Sequence, residues 1–176
     1  MLNILAFSGS LRAASTNSAL VAALARNAPP GCRVTVYDGL GRLPIFNPDD
    51  EGERTPLDAS ALIDAVTRAD GVIVSCPEYA HGVPGGLKNA LDWLVSRDAA
   101  VAKPAMLAHA SLRSLFARAA LAEIMRTMSF VLCEEMLEIA LLGKKPPEVE
   151  AVLAEPENRQ AMRNAVSAFA EFIRAR

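Results

Sequence analysis

Short apolar runs alternate with longer stretches of helical spacing along the whole chain. Leu2 to Phe7 reads as a buried strand, and Thr16 to Ala28 as a helix that stops before Pro29-Pro30-Gly31. Arg33 to Tyr37, rich in β-branched residues, is a second strand; Leu57 to Ala69 is a second helix and Gly71 to Ser75 a third strand. Pro84 to Val95 sets Leu87, Ala90, Leu91 and Leu94 at i, i+3, i+4 and i+7, which predicts a third helix. Ala105 to Ala108 is a fourth strand and Leu112 to Met128 a fourth helix. A fifth strand falls between Phe130 and Ile139. A last helix over Glu157 to Arg174 places Met162, Val166, Phe169 and Ile173 on one face. Apolar strands each followed by a helix describe an open parallel sheet covered on both sides. No composition shift marks a linker and no repeat is visible, so residues 1–176 read as a single α/β domain.

In such sheets a ligand sits outside the carboxyl ends of the strands, where the strand order reverses. The loops after strands one, three and four therefore hold the chemistry, and composition limits what that chemistry is. The net charge is −2 with both signs interspersed, which argues against nucleic acid as a partner. No apolar stretch reaches the roughly 20 residues that cross a bilayer, so no membrane segment is expected. No basic region precedes a long apolar segment at the N-terminus, so no secretory signal is expected. Cys32, Cys76 and Cys133 are odd in number and far apart, which indicates neither a disulfide framework nor a metal site. A reduced, cytoplasmic protein is the expectation.

The first loop runs through Ser8 to Asn17 with Ser10, Ser15, Thr16 and Asn17 as side-chain donors and Arg12 as a cationic fork. Backbone N–H groups at a helix start are unpaired and its dipole favours negative charge, so this loop reads as a cradle for an anion. An ordinary helix cap by Ser15 or Thr16 is the plainer alternative, but one cap needs one hydroxyl. The string is neither G-x-x-x-x-G-K-[ST] nor G-x-G-x-x-G, which disfavours a nucleotide triphosphatase and a dinucleotide fold. The loop after strand three, "SCPEYAHGVPGGLKNALDWL", is stiffened by Pro77 and Pro84. Its glycines Gly82, Gly85 and Gly86 allow a flat ligand to approach, and Tyr79 and His81 add planar groups.

These segments carry a resemblance. "GSLRAASTNSAL", Gly9 to Leu20, is similar to the G-S-x-R-x-x-S-x-N phosphate loop of the NAD(P)H-dependent FMN reductase family. "PEYAHGVPGGLKNALDW", Pro77 to Trp93, resembles that family's P-E-Y-N-x-x-x-P-x-x-L-K-N-A-x-D-W segment, and "LPIFNPD", Leu43 to Asp49, its loop after strand two. The resemblance implies a flavodoxin-like three-layer α/β/α fold with a five-stranded parallel sheet of order 2-1-3-4-5. It also implies FMN as cofactor, NADPH or NADH as hydride donor, and a homodimer or homotetramer. The implied activity passes hydride through bound FMN to a flavin, quinone, azo compound or metal oxyanion. By the same resemblance Ser10, Arg12, Ser15 and Asn17 hold the phosphate, with Thr16 added from the residues themselves. Pro77, Glu78, Tyr79, Ala80 and Gly82 lie along the flavin ring. No catalytic acid or base is expected, because hydride transfer needs stacking and orientation rather than a proton relay.

The sequence departs from the family pattern on the ring side. Ala80 stands where the family has Asn, and "AHASLRSLFARAAL", Ala108 to Leu121, lacks the glycines usual after strand four. Either this loop swings away and exposes the ring, with a weaker FMN site, or His109 and Arg113 close over it; the first is the expectation. His109 is a candidate contact to the flavin, or a residue that only finishes its strand. Loss of these contacts leaves a redox-inactive binding or regulatory module as the alternative function. A serine hydrolase is disfavoured by the absence of a G-x-S-x-G elbow. Cys76 reads as packing rather than a redox thiol. Trp93 and Val95 fall off the Leu87/Leu91/Leu94 stripe, and Leu115, Phe116, Leu121, Met125 and Met128 nearly encircle the fourth helix. That predicts a subunit interface on the third and fourth helices, with extra packing by the long loop after strand two as the plainer alternative.

Overall fold

The computed structural model describes Met1–Arg176. Strand β1 (Leu2–Ser8) lies between β2 (Cys32–Tyr37) and β3 (Gly71–Ser75), and β4 (Pro104–His109) pairs with the far side of β3. Every strand pairing is parallel, and the order is β2-β1-β3-β4-β5, with β5 (Val131–Leu132) at the edge. Strand residues alternate between two cores because successive side chains point to opposite faces. On one face, Ile4, Ala6, Ile73, Met106 and Ala108 pack against helices α1 (Thr16–Arg26), α5 (Pro146–Ala154) and α6 (Pro156–Arg174). On the other, Leu5, Phe7, Val72, Val74, Ala105 and Leu107 pack against α2 (Leu57–Arg68), α3 (Gly85–Asp92) and α4 (Leu115–Thr127). This is the expected three-layer, flavodoxin-like arrangement. The strand order reverses between β1 and β3, so their loops part at the carboxyl edge and open a crevice there.

The fifth strand is the point of difference. Its place is filled by two short pieces, β5 (Val131–Leu132) beside Pro104 and Ala105, and β6 (Leu137–Glu138) beside Ala108 and His109. Between them Glu134, Glu135 and Met136 leave the ladder, as charges on an edge strand tend to do. Helix α5 was not expected. Its signals are local: Pro146 opens it, the Glu148 carboxylate accepts from the Lys145 N–H at 2.6 Å, and Val149, Val152 and Leu153 follow at helical spacing.

Trp93 corrects part of the interface expectation. It is fully buried within this chain, and its indole N–H donates to the Pro44 carbonyl at 2.9 Å. Asn89 donates to the same carbonyl at 2.9 Å and accepts from the Phe46 N–H at 2.8 Å. The long loop after β2 is thus pinned onto α3 and covers its second apolar side. Leu121, Met125 and Met128 are buried as well, whereas Val95, Leu115 and Phe116 stay exposed.

Candidate functional site

At the end of β1 the chain must pass very close to the loop after β3. A Cβ on Gly9 would lie 2.9 Å from Leu87 Cδ2 and 3.2 Å from Pro77 Cδ, so any side chain there would have to push the buried Leu87 methyl and the Pro77 ring aside. The Gly9 N–H donates to the Ser75 carbonyl at 2.8 Å and fixes the two loops together. Ser15 then caps α1, its Oγ accepting from the Ser18 N–H at 3.2 Å. The N–H groups of Thr16 and Asn17 find no acceptor in the chain, and the first turn of α1 contains no acid. Asn17 is 6% exposed; its Oδ1 accepts from the Ser75 hydroxyl at 2.9 Å, which leaves its amide N–H groups free. Ser10 lies 3.3 Å from the Tyr79 hydroxyl, and Arg12 is exposed beside them. Such a set of donors at a helix N-terminus suits an anion with several acceptor oxygens.

The other end is built from the loops after β3 and β4. Tyr79 and Gly82 exchange backbone bonds of 3.1 and 3.0 Å around Ala80 (φ 48°) and His81 (φ 59°). That is the geometry of a tight hairpin turn with both central residues left-handed, where Asn-Gly is the usual pair. Glu78 reaches across: its carboxylate accepts from the Ala117 N–H at 2.9 Å, in the first turn of α4. Ser114, which precedes α4, makes no side-chain cap of its own, so Glu78 supplies it. The His81 ring stacks on Phe116 with centroids 4.4 Å apart and planes inclined by 18°. The expected swing of the fourth loop is therefore not what is seen. Residues 115–117, on the segment where glycines were expected, are docked onto the Tyr79 hairpin.

His109 requires correction too. It ends β4 on the same face as Ala105 and Leu107, is 1% exposed, and neither ring nitrogen has a partner. Burial, and then the positive charge of Arg118, push its pKa down to about 4, against the opposing pull of Glu138. Arg118 itself is held by Glu138 and by the Ser111 carbonyl. His109 is thus a neutral residue packed beneath the start of α4. Cys76 stays a thiol, because burial and then the Glu78 carboxylate raise its pKa to about 12.

Between the two ends lies a cavity of about 480 Å³. Ser10, Arg12, Ser15, Thr16, Asn17, Pro77, Glu78 and Tyr79 line it, as does Arg113. Ala80, Gly82 and His109 do not: the first two belong to the hairpin's outer turn, and the third is covered by α4. Ser114 and the segment Leu142–Lys144 line it without having been foreseen. Gly143 before two lysines and two prolines was the available signal for that segment, a turn ahead of a helix. The free donors at α1 and the proline-stiffened wall across from them fit a flat ligand that carries a phosphate. No cluster of ligating side chains suited to a metal ion is present.

A model of the family described as NADPH-dependent FMN reductase matches residues 2–141. The quinone reductase of Escherichia coli strain K12 is 37% identical over 94 residues, which make up 53% of this chain and 50% of that protein. The matched stretch thus spans about half the length of that relative. A subunit of an NADH:(hydroxy)cinnamate reductase from Vibrio ruber is 33% identical over 128 residues, 70% of this chain and 62% of that subunit. Among solved structures, FerB, a flavoenzyme NAD(P)H:(acceptor) oxidoreductase from Paracoccus denitrificans, superposes with a TM-score of 0.80. That superposition covers 99% of this chain and 98% of FerB at 23% identity, a likeness of fold.

Proposed function

Because the chain belongs to the NADPH-dependent FMN reductase family, we propose that it binds FMN and passes hydride from NADPH or NADH to a small-molecule acceptor. Quinones lead the acceptors in this reading, with flavins, azo compounds and metal oxyanions behind them. The observation that carries it is the cradle: unpaired Thr16 and Asn17 N–H groups, a buried Asn17 amide and Arg12 all face one cavity walled by Pro77, Glu78 and Tyr79. When bound, FMN supplies two-electron hydride chemistry that no side chain of this site offers.

Each part of the chain has a definite task in that reading. Ser10, Arg12, Ser15, Thr16 and Asn17 bind the phosphate and set the depth at which the ligand stops. Pro77, Glu78 and Tyr79 wall the ring, and Ala80 and Gly82 shape the hairpin that carries Tyr79. Glu78 acts through α4, fixing the spacing between the wall and the fourth loop. His109, uncharged, packs under that loop rather than touching the ligand. Orientation, not proton transfer, is what the protein contributes to a hydride step.

Residues 1–176 act as one FMN-binding domain in this reading, assembled as a homodimer or homotetramer over the exposed Leu112, Leu115 and Phe116. The three unpaired cysteines suit the cytoplasm, and no helix is long and apolar enough to cross a membrane. The test is an absorption spectrum of the purified protein after adding FMN and removing the excess, followed by anaerobic NADPH or NADH. Bound flavin bands that bleach on reduction and return with a quinone are the expected result. Flavin that binds but is not reduced points to a redox-inactive module instead, and no flavin retention overturns the reading.

A further inference from the structure

Lys144 lies beyond residues 2–141, the span of the family likeness, and yet reaches the cradle. It follows Gly143, whose φ of 82° turns the chain, and the Lys144 N–H donates to the Leu141 carbonyl at 3.2 Å to close that turn. Just after it, Pro146 begins α5, which is tied to α1 by Arg26 and Glu150 at 3.1 Å and by Val149 and Leu153 in the shared core. The base of the lysine is therefore anchored to the helix whose N-terminus forms the cradle.

Two cavities meet at this side chain. Lys144 borders the 480 Å³ cavity and a neighbouring one of about 230 Å³, and both are also lined by Ala14, Ser15 and Thr16. The Lys144 ammonium makes no ion pair, and Glu150, the acid lining the second cavity, is taken by Arg26. Glu78, the acid lining the first, is held by the Ala117 N–H. Arg12, Lys144 and the α1 N-terminus thus gather positive charge on one side of the cavity, while the Glu78 carboxylate, turned to the Ala117 N–H, belongs to the opposite wall with Arg113.

We infer that Lys144 is a phosphate-binding residue of this site, contributed by the C-terminal segment, and that it makes the site select a phosphorylated flavin over riboflavin. The inference rests on the FMN reading. A phosphate monoester is close to a dianion at neutral pH, so Arg12 and the helix terminus leave charge for a second cation to meet. Lys144 borders Ser15 and Thr16 in both cavities, whereas Arg113 comes from the fourth loop. Riboflavin offers nothing to that cation.

The test compares FMN, riboflavin and inorganic phosphate on the wild type, Lys144→Gln and Lys144→Arg. Flavin fluorescence follows the first two ligands and thermal stabilisation follows phosphate. Lys144→Gln is expected to bind FMN on the order of tenfold more weakly, with a shallower salt dependence and unchanged riboflavin affinity. Lys144→Arg is expected to recover most of the loss, and equal melting of all three proteins without ligand excludes a folding defect. FMN affinity unchanged in Lys144→Gln, or riboflavin weakened as much as FMN, overturns the inference while the FMN reading stands. Phosphate binding that depends on Lys144 in a protein that binds no flavin supports the phosphate role of Lys144 but overturns its role in flavin selection, and sinks the FMN reading. A wild type indifferent to both phosphate and FMN overturns both.

Discussion

At the α1 end of the cavity, Ser8, Ser10, Ser15, Asn17 and Ser75 are buried and bond to one another or to nearby backbone, while the donors left over face the cavity. At the α4 end the balance is the reverse. Both nitrogens of His109 and the Nε of Arg118 are buried without partners, and Ala80 and His81 sit in left-handed backbone. That end holds together through contacts from a distance: Glu78 on the Ala117 N–H and His81 on Phe116. One end is preorganised for a ligand at little internal cost, and the other keeps its shape against unfavourable terms of its own. Changes at the first end should therefore alter binding and spare stability; changes at the second should alter stability first.

The largest expected effect is at His109. Its pKa is near 4 when folded and about 6.5 when unfolded, so between those values the unfolded chain binds the extra proton. Stability must therefore rise with pH through that window and be lost as pH falls from about 6.5 towards 4, by roughly 3 kcal/mol in full. Arg118 and Glu138 are the charged groups that face the ring, and carboxylates elsewhere in the chain add their own acid sensitivity towards the lower end of this window. The clean measurement is a difference: urea unfolding of wild type and His109→Leu at pH 7 and pH 5. The variant should lose distinctly less stability than the wild type. Parallel losses would show that His109 is not what makes the α4 end sensitive to acid.

Arg12→Ala is next, and it tests the opposite end. A charge-assisted bond to phosphate contributes about 1.5–3 kcal/mol, so FMN affinity should fall about ten- to a hundredfold. Arg12 is exposed, so the melting temperature without ligand should hold. Early melting with intact FMN binding would exchange the roles assigned to the two ends.

The contrast also explains which parts were legible in the sequence. The α1 end is local in sequence: a buried strand, a glycine, a run of hydroxyls and a helix appear together between Leu2 and Leu20, each with its own short-range signal. β1, β3 and β4 announce themselves as apolar runs because both of their faces are covered. The α4 end depends on non-local partners. Nothing in the chain says that Glu78 will cap a helix thirty-nine residues later or that His81 will meet Phe116. His109 was within reach, since counting by twos from Ala105 places it on the inward face beneath α4. The broken fifth strand was not, because its pairing is decided by the edge of β4 rather than by its own composition.

Glu78→Ala should remove the cap that α4 lacks locally and cost about 0.5–2 kcal/mol. Glu78→Gln keeps an acceptor oxygen and should recover part of that. If Glu78 belonged to the binding end instead, Ala would weaken FMN without lowering the melting point. A joint loss, with FMN affinity falling only through the looser wall, is the expected outcome in calorimetry and flavin titration.

The smallest effect isolates backbone strain. Ala80 at φ 48° occupies the left-handed region, which costs an ordinary residue roughly 1–2 kcal/mol, while a short polar side chain such as Asn tolerates it. Ala80 is exposed and outside the cavity, so no packing is lost by changing it. Ala80→Asn should therefore stabilise the protein by about 0.5–1 kcal/mol, a rise of about 1–4 °C in melting temperature for a chain of this size. Ala80→Gly relieves the same strain but gives the unfolded chain extra freedom worth about 0.4–1 kcal/mol, so it should gain less than Asn. Destabilisation by Asn, or a larger gain from Gly than from Asn, would show that the hairpin is not strained in this way. FMN affinity should stay within about twofold for both variants, since a change below 0.5 kcal/mol is expected where no contact is made. A clear tightening in the Ala80→Asn variant would instead place this turn at the ligand and move the boundary between the two ends outward.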